Sequence, residues 1–408
     1  MLNPLTLVSV QTSNNIISKI QEAIREEQID GWLFCNFMHR DRLSDFILFR
    51  PETLTNSRFW FYLVPASGEP LALVHAIEQD HLDPLPGKRQ SYAGREGILN
   101  FIAALSGKTI AVHMSENISA LSYLDAGIYA ALVNAGVRLT GAESLVQRFK
   151  GLLDGEGIAS HERAAAALYG IVERVWDFVC ASYTNGTTLN EGDLRRLMED
   201  EFVRLNMESD HSPQAAAGEN SANPHYDFTG NGRAIAEGDI IQLDLWAKEK
   251  KAGAVYADIA WAGVYGKKAD AAAEKHFNDL VEVREAVLDF LDASFAEGNV
   301  NSTAITGAEL DTYCRSLLFA KGYEKAIKHR TGHGIDTEVH GSGANIDSFE
   351  FPDARRLMEG SCFSIEPGIY SVEYGFRTEV NVYIQGGRPR VSGSGAEKEG
   401  RQFKLLHC

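Results

Sequence analysis

Apolar residues recur at helical intervals through NNIISKIQEAIREEQID (residues 14–30), and the apolar run GWLFCNF (31–37) behind it predicts a short buried strand. RFWFYLVPASGEPLALVH (58–75) is two apolar runs split by ASGEP, the pattern of a hairpin. KTIAVHM (108–114) predicts another strand, and ISALSYLDAGIYAALVNAG (118–136) a helix. This alternation predicts a small α/β domain over residues 1–155, with a boundary near FKGLLDGEGIAS. Beyond it, HERAAAALYGIVERVWDFVCASY predicts a long amphipathic helix, and NEGDLRRLMEDEFVRL a second with Asn190 as N-cap and Asp193 in its first turn. QAAAGENSANPHYDFTGNGRAIAEGD (214–239) reads as a long loop, and loops of that length are usually functional or disordered. Strands are expected at DIIQLDLWA and GAVYADIAWAGVY, helices near 270–296 and 306–322, and strands again from SCFSIEPGIY to FRTEVNVYI, making residues 156–408 an α+β domain.

The chain's 408 residues exceed what one core usually serves, which agrees with two domains. A hydrophobic fraction of 44% and a charged fraction of 23% fit a globular protein. A formal net charge of -17 argues against nucleic acid, which calls for a basic face, and disfavours anionic membranes. The sequence holds no apolar run of transmembrane length. The opening MLNPLTLVSVQTSNN lacks signal-peptide features, and the five scattered cysteines fit a reducing compartment, so a cytoplasmic location is expected. In the first domain His39, His75, His81 and His113 stand alone and are read as surface or structural residues.

The chemistry gathers in the second domain. EGDIIQLD (237–244) and EGSCFSIE (359–366) share Glu-Gly, alternating apolar positions, and a carboxylate six residues after the glycine. Each is followed by a second acid in a strand-like run: Asp258 in VYADIAW and Glu379 in FRTEVNV. The two stretches read as copies of one unit. A carboxylate removed from water is costly unless paired or bound to metal, and Arg377 is the one basic residue close by in sequence. Four carboxylates at one site repel, and two divalent cations cancel their charge. For any single acid, a solvent-facing side of an antiparallel strand is the competing account.

HRTGHGIDTEVH (329–340) carries three histidines. The His329–His333 spacing matches the zinc-protease helix motif, but the required glutamate is absent, and Gly332 and Gly334 disfavour a helix. A turn leading into a strand is expected, with IDTEVH placing His340 on an inward face. One imidazole completing an oxygen-rich ligand set suits manganese, cobalt, iron or zinc.

Together, LDLW, YADIAW, HRTGHGIDTEVH, SIEPGIY and RTEVNV resemble the motifs of the pita-bread metallopeptidases, which include methionine aminopeptidase, aminopeptidase P and prolidase. The resemblance covers roughly residues 157–390, and the first domain is similar to the creatinase-type domain of prolidases and aminopeptidase P. It implies a pita-bread fold with a pseudo-twofold repeat and five metal ligands, Asp244, Asp258, His333, Glu366 and Glu379. Asp244 and Glu379 are then expected to bridge two ions, manganese foremost, with Asp258 on one and His333 and Glu366 on the other.

The implied reaction is hydrolysis of an Xaa-Pro bond by a metal-bridging hydroxide, of prolidase or aminopeptidase P type, in a homodimer. Glu366 is the expected general base. His225, in SANPHY, and His340 are expected to steady the oxyanion and the leaving nitrogen. His329 is expected on the substrate side, and Arg377 as the residue orienting Glu379. A same-fold enzyme acting on a non-peptide substrate, or a non-catalytic binding protein, are the alternatives. The chain departs from the family pattern in the wide Asp244–Asp258 spacing, in Arg330 and Asp336 where glycines are usual, and in lacking an arginine between His340 and Arg355 for a dipeptide carboxylate.

Overall fold

The computed structural model describes residues 10–49, 53–83, 85–295, 305–393 and 401–408. The chain divides into two compact units, Met1–Lys150 and Gly151–Cys408.

The first unit contains α1 (Val10–Glu26), β1 (Gly31–Asn36), α2 (Arg42–Ile47), β2 (Trp60–Pro65), β3 (Leu71–His75), β4 (Lys88–Tyr92), α3 (Arg95–Ala103), β5 (Thr109–Val112), α4 (Ala126–Asn134), β6 (Arg138–Gly141) and α5 (Glu143–Val146). Its strands form one mixed sheet in the order β4-β3-β2-β1-β5-β6. The expected hairpin is present, with Phe61 opposite Leu73. Strands β1 and β2 are almost wholly buried because helices cover both sheet faces, which is why their apolar runs lack alternation. The helix expected from residue 118 begins only at Ala126, where the Asp125 carboxylate accepts from the amides of Gly127 and Ile128; a short 3-10 turn, Ser119–Leu121, precedes it. All four lone histidines are tied internally: His39 to Asp45 at 2.8 Å, His75 to the Ala93 carbonyl at 3.2 Å, His81 to the Thr55 carbonyl at 3.0 Å, and His113 to Asp41 at 2.6 Å.

The second unit contains α6 (Gly155–Asn185), α7 (Glu191–Arg204), β7 (Met207–Glu208), β8 (Gln214–Ala217), β9 (Ile240–Glu249), β10 (Ala257–Val264), α8 (Ala271–Phe295), α9 (Gly307–Ala320), β11 (Cys362–Ile365), β12 (Gly368–Tyr370), β13 (Gly375–Arg377), β14 (Val380–Gln385) and β15 (Arg388–Val391). Helix α6 starts at Asp154, whose side chain accepts from Gly157, and stops at Gly186 in the left-handed region, φ 67°. Helix α7 carries the full capping box between Asn190 and Asp193, and α9 repeats it with Thr306 and Glu309.

The duplication seen in the acidic motifs has a packing counterpart. Helices α6 and α7 cover β8, β9 and β10 through Leu168, Val172, Leu194, Ile241 and Leu243. Helices α8 and α9 cover β11 and β14 through Phe277, Leu310, Phe363 and Val382. Two helix-backed sheets thus turn their other faces inward.

Two expectations of secondary structure, one loop and one strand, need correction. Gln214–Ala217 is strand β8 rather than loop, paired with β9 so that Gln214 faces Asp244. Three successive alanines carry weak strand propensity, and their pairing comes from burial on β9. IDTEVH is not a strand: it folds into bends held by Asp336, whose carboxylate accepts from the amides of Glu338 and Ser342, each at 2.8 Å. His340 is consequently exposed rather than on an inward-facing strand side.

Candidate metal centre

Asp244 lies within β9 and Asp258 near the start of β10. In their antiparallel register Asp244 faces Ala260 and Asp258 faces Trp246, so both acids share one sheet face, one diagonal step apart. Glu366 and Glu379 occupy the next position on each chain beyond the last pair of the β11–β14 ladder, Ile365 with Val380. The Glu379 amide leaves that ladder and donates to the Ala260 carbonyl at 3.2 Å, joining the two halves.

His333 arrives on a segment that is neither helix nor strand but lies along β11. Its amide donates to Ser364 Oγ at 3.0 Å, and its carbonyl accepts from the Ser364 amide at 2.9 Å. Gly332 is required here by contact: a Cβ would stand 2.0 Å from the Ser364 carbonyl oxygen. His333 Nδ1 faces the Gly334 carbonyl at 3.3 Å, which leaves Nε2 3.5 Å from Asp258 Oδ2 and 3.5 Å from Glu366 Oε1. Asp258, His333 and Glu379 each offer a ligand atom within 4.8 Å of the others.

All five residues are buried, from 2% exposure at Glu379 to 8% at Glu366. The basic side chain among them is Arg377, which ion-pairs with Asp244 and holds Nε 3.9 Å from Glu366. The expectation that Arg377 orients Glu379 is therefore corrected. Arg377 ends β13 and its guanidinium turns to β9, toward the acid of the other half. Burial is the leading cause that pushes Asp244 and Asp258 up to about 7, with Arg377 opposing it. Glu366 and Glu379 are raised as well, by burial first, and for Glu379 next by Asp258, Glu366 and Asp244. Burial holds His333 down at about 4. Asp258 Oδ1 and Glu379 Oε1 are buried with no hydrogen-bond partner among the described residues. Oxygen donors so placed beside one imidazole fit a hard or borderline divalent cation.

The remaining predicted residues form the surroundings. His340 packs its ring against that of His333, centroids 4.4 Å apart and planes at 69°. Its pKa is pushed down to about 3, first by His333 and then by desolvation. His225 is exposed on the loop after β8, next to Pro224, whose carbonyl accepts from Arg377 at 3.4 Å; partial desolvation of its ring and then Arg377 lower its pKa. His329 is committed elsewhere: Nδ1 donates to the Arg330 carbonyl and Nε2 accepts from the Tyr370 hydroxyl, both at 2.7 Å. Arg355 is also committed, donating to the Ser342 and Gly343 carbonyls and pairing with Asp353 at 2.7 Å.

Sequence reasoning missed Asp311 on α9. Its carboxylate accepts from the amide and hydroxyl of Thr331 and from the amide and hydroxyl of Ser348, fixing the segment that delivers His333. No spacing in the sequence singles it out, because its partners lie 20 and 37 residues away.

This geometry agrees with what comparison finds. Residues 159–386 match the profile of metallopeptidase family M24, more than half of the chain, and the chain belongs to that family. It is 32% identical over 154 residues to an Xaa-Pro dipeptidase of Lactobacillus helveticus, 38% of this chain and 36% of that one. It is 31% identical over 162 residues, 39% of this chain, to a Mycoplasma genitalium protein named, provisionally, as an Xaa-Pro aminopeptidase. The chain spans only 40% of that relative's length. Among solved structures, the dipeptidase PepE of Mycobacterium ulcerans is similar in fold, with a TM-score of 0.72, 19% identity and 98% of each chain covered. The fold is thus the pita-bread fold preceded by an α/β domain.

Proposed function

We propose that the second unit hydrolyses Xaa-Pro peptide bonds with two divalent cations, manganese foremost, held by Asp244, Asp258, His333, Glu366 and Glu379. The observation that carries this reading is the gathering of four buried carboxylates and one buried imidazole beside Arg377, with Asp258 Oδ1 and Glu379 Oε1 lacking a hydrogen-bond partner among the described residues. The relatives named for Xaa-Pro substrates support the choice of substrate.

When bound, such cations supply Lewis-acid stabilisation of a carbonyl oxygen and lower the pKa of a water toward neutrality. The side chains supply the rest. Glu366 takes the water's proton: burial raises its proton affinity, and its Oε1 is oriented by the Ser364 hydroxyl at 3.2 Å. His340 and His225 have lowered pKa values and so are neutral at pH 7, each able to donate one N–H toward a developing oxyanion or to the departing proline nitrogen. Arg377 holds Asp244 in place and offsets one negative charge of the buried set.

The reading is tested with purified protein and added Mn²⁺ on Xaa-Pro dipeptides, Xaa-Pro tripeptides and matched Xaa-Ala peptides. Cleavage restricted to the proline series is expected, together with loss of activity and of bound metal in Asp258→Ala. Full activity and two bound ions in that variant overturn the ligand set, and equal cleavage of Xaa-Ala overturns the substrate.

A further inference from the structure

Two buried amide side chains near the centre do work that the ligand set does not account for. Gln242 lies on β9, two residues before Asp244, and is 3% exposed; Asn381 lies on β14, two residues after Glu379, and is fully buried. Gln242 Oε1 accepts from the Arg377 amide at 2.9 Å, and its Nε2 donates to the Arg377 carbonyl at 3.1 Å. Asn381 Oδ1 accepts from the Asp258 amide at 2.8 Å, and its Nδ2 donates to the Asp258 carbonyl at 2.6 Å. The orientation of each amide is dictated by its partners, since a backbone N–H can only donate and a carbonyl can only accept.

Each amide therefore imitates a strand neighbour. It gives one residue of the opposite half the two bonds that a β-ladder would supply. The arrangement is reciprocal: the first half's Gln242 grips Arg377 of the second, and the second half's Asn381 grips Asp258 of the first. The direct backbone link from Glu379 to Ala260 lies between them. β9 and β10 belong to one sheet, Asn381 to a second made of β11, β14 and β15, and Arg377 to the two-stranded β12–β13 sheet.

We infer that Gln242 and Asn381 are positioning residues, a reciprocal pair of amide clamps that set the spacing of the carboxylates across the two halves and hence the fit of the cations between them. The inference rests on the reading of the centre as a cation site. Its physical ground is that the gripped residues are themselves functional. Asp258 is a proposed ligand, and Arg377 carries the ion pair to Asp244. A ligand backbone released from both its bonds lets the carboxylate drift, and metal sites lose affinity when such outer partners are removed, typically 10- to 100-fold.

The test is calorimetric titration of the full-length metal-free chain with Mn²⁺, beside far-UV circular dichroism and thermal unfolding in chelator. Asn381→Ala and Gln242→Ala are expected to bind Mn²⁺ about 10- to 100-fold more weakly while remaining folded at 25 °C. Asn381→Gln and Gln242→Asn, each keeping an amide group but changing its reach by one methylene, are expected to fall between these and the wild type. These conservative variants also decide the matter if the alanine variants do not fold. Wild-type Mn²⁺ affinity in folded variants, with lowered melting alone, overturns the inference and makes the amides cement between sheets. Absence of Mn²⁺ binding by the wild type overturns the cation reading first, and the clamps with it.

Discussion

Arg377 forms its ion pair with Asp244, an acid supplied by the other half of the repeat, and both partners are buried. The pair joins the end of β13 to β9, so removal of the arginine leaves Asp244 without its cation. At pH 8, above the value of about 7 to which Asp244 is raised, Arg377→Met strands Asp244 among like charges. In chelator the variant is expected to be less stable by roughly 3–5 kcal/mol, the usual penalty for breaking a buried pair from one side. Saturating Mn²⁺ is expected to recover part of that loss, because cations replace the missing charge. Urea unfolding with and without Mn²⁺ measures both. A loss that Mn²⁺ does not diminish counts against a cation bound beside Asp244.

Protons compete with the proposed cations at this centre. Asp244 and Asp258 keep protons up to about pH 7 in the folded, metal-free chain. An unfolded aspartate releases its proton near about 3.9. The folded state binds the extra protons between those values, so this stabilising contribution is full below about pH 4 and is lost as pH rises through 7. His333, held at about 4, acts in the opposite direction: its contribution is present above about 6.5 and is lost as pH falls through 4. Cation binding must expel the aspartate protons. Net proton release is expected at pH 6, with Mn²⁺ affinity rising toward pH 8, measured by calorimetry in buffers of differing ionisation enthalpy. Proton-neutral binding at pH 6 is the contrary result.

His340 touches the ring of His333 yet is exposed, and this separates two roles. His340→Ala is expected to retain its Mn²⁺ stoichiometry and to lose kcat by roughly 10²- to 10⁴-fold on an Xaa-Pro dipeptide. His333→Ala is expected to lose the metal as well. Metal analysis beside steady-state kinetics distinguishes them, and a His340→Ala enzyme that loses metal in parallel would place His340 among the ligands.

Much of the centre was legible because acids interrupting apolar strand runs are costly, and that cost is visible in sequence at Asp244, Asp258, Glu366 and Glu379. The capping box of Asn190 and Asp193 was legible in part, because its bonds are local. Contacts between distant segments were not. Arg377 is two residues from Glu379, and sequence proximity suggested that partner, whereas the fold sends its guanidinium to β9. Likewise IDTEVH has the apolar alternation of a strand, but the Asp336 carboxylate offers its backbone a competing set of bonds. Gln242, Asn381 and Asp311 act through backbone groups far away in the chain, and nothing in their flanking sequence marks them.

The two acid pairs do not have the same internal geometry: Asp244 and Asp258 stand diagonally within their ladder, while Glu366 and Glu379 each stand one residue beyond the end of theirs. The duplication is therefore unequal at the very place where its copies meet. Asp244 and Asp258 are carried inside a ladder and Glu366 and Glu379 at a ladder's end, so a chimera built from two identical halves is expected to bind Mn²⁺ more weakly than the native chain even where it keeps the fold.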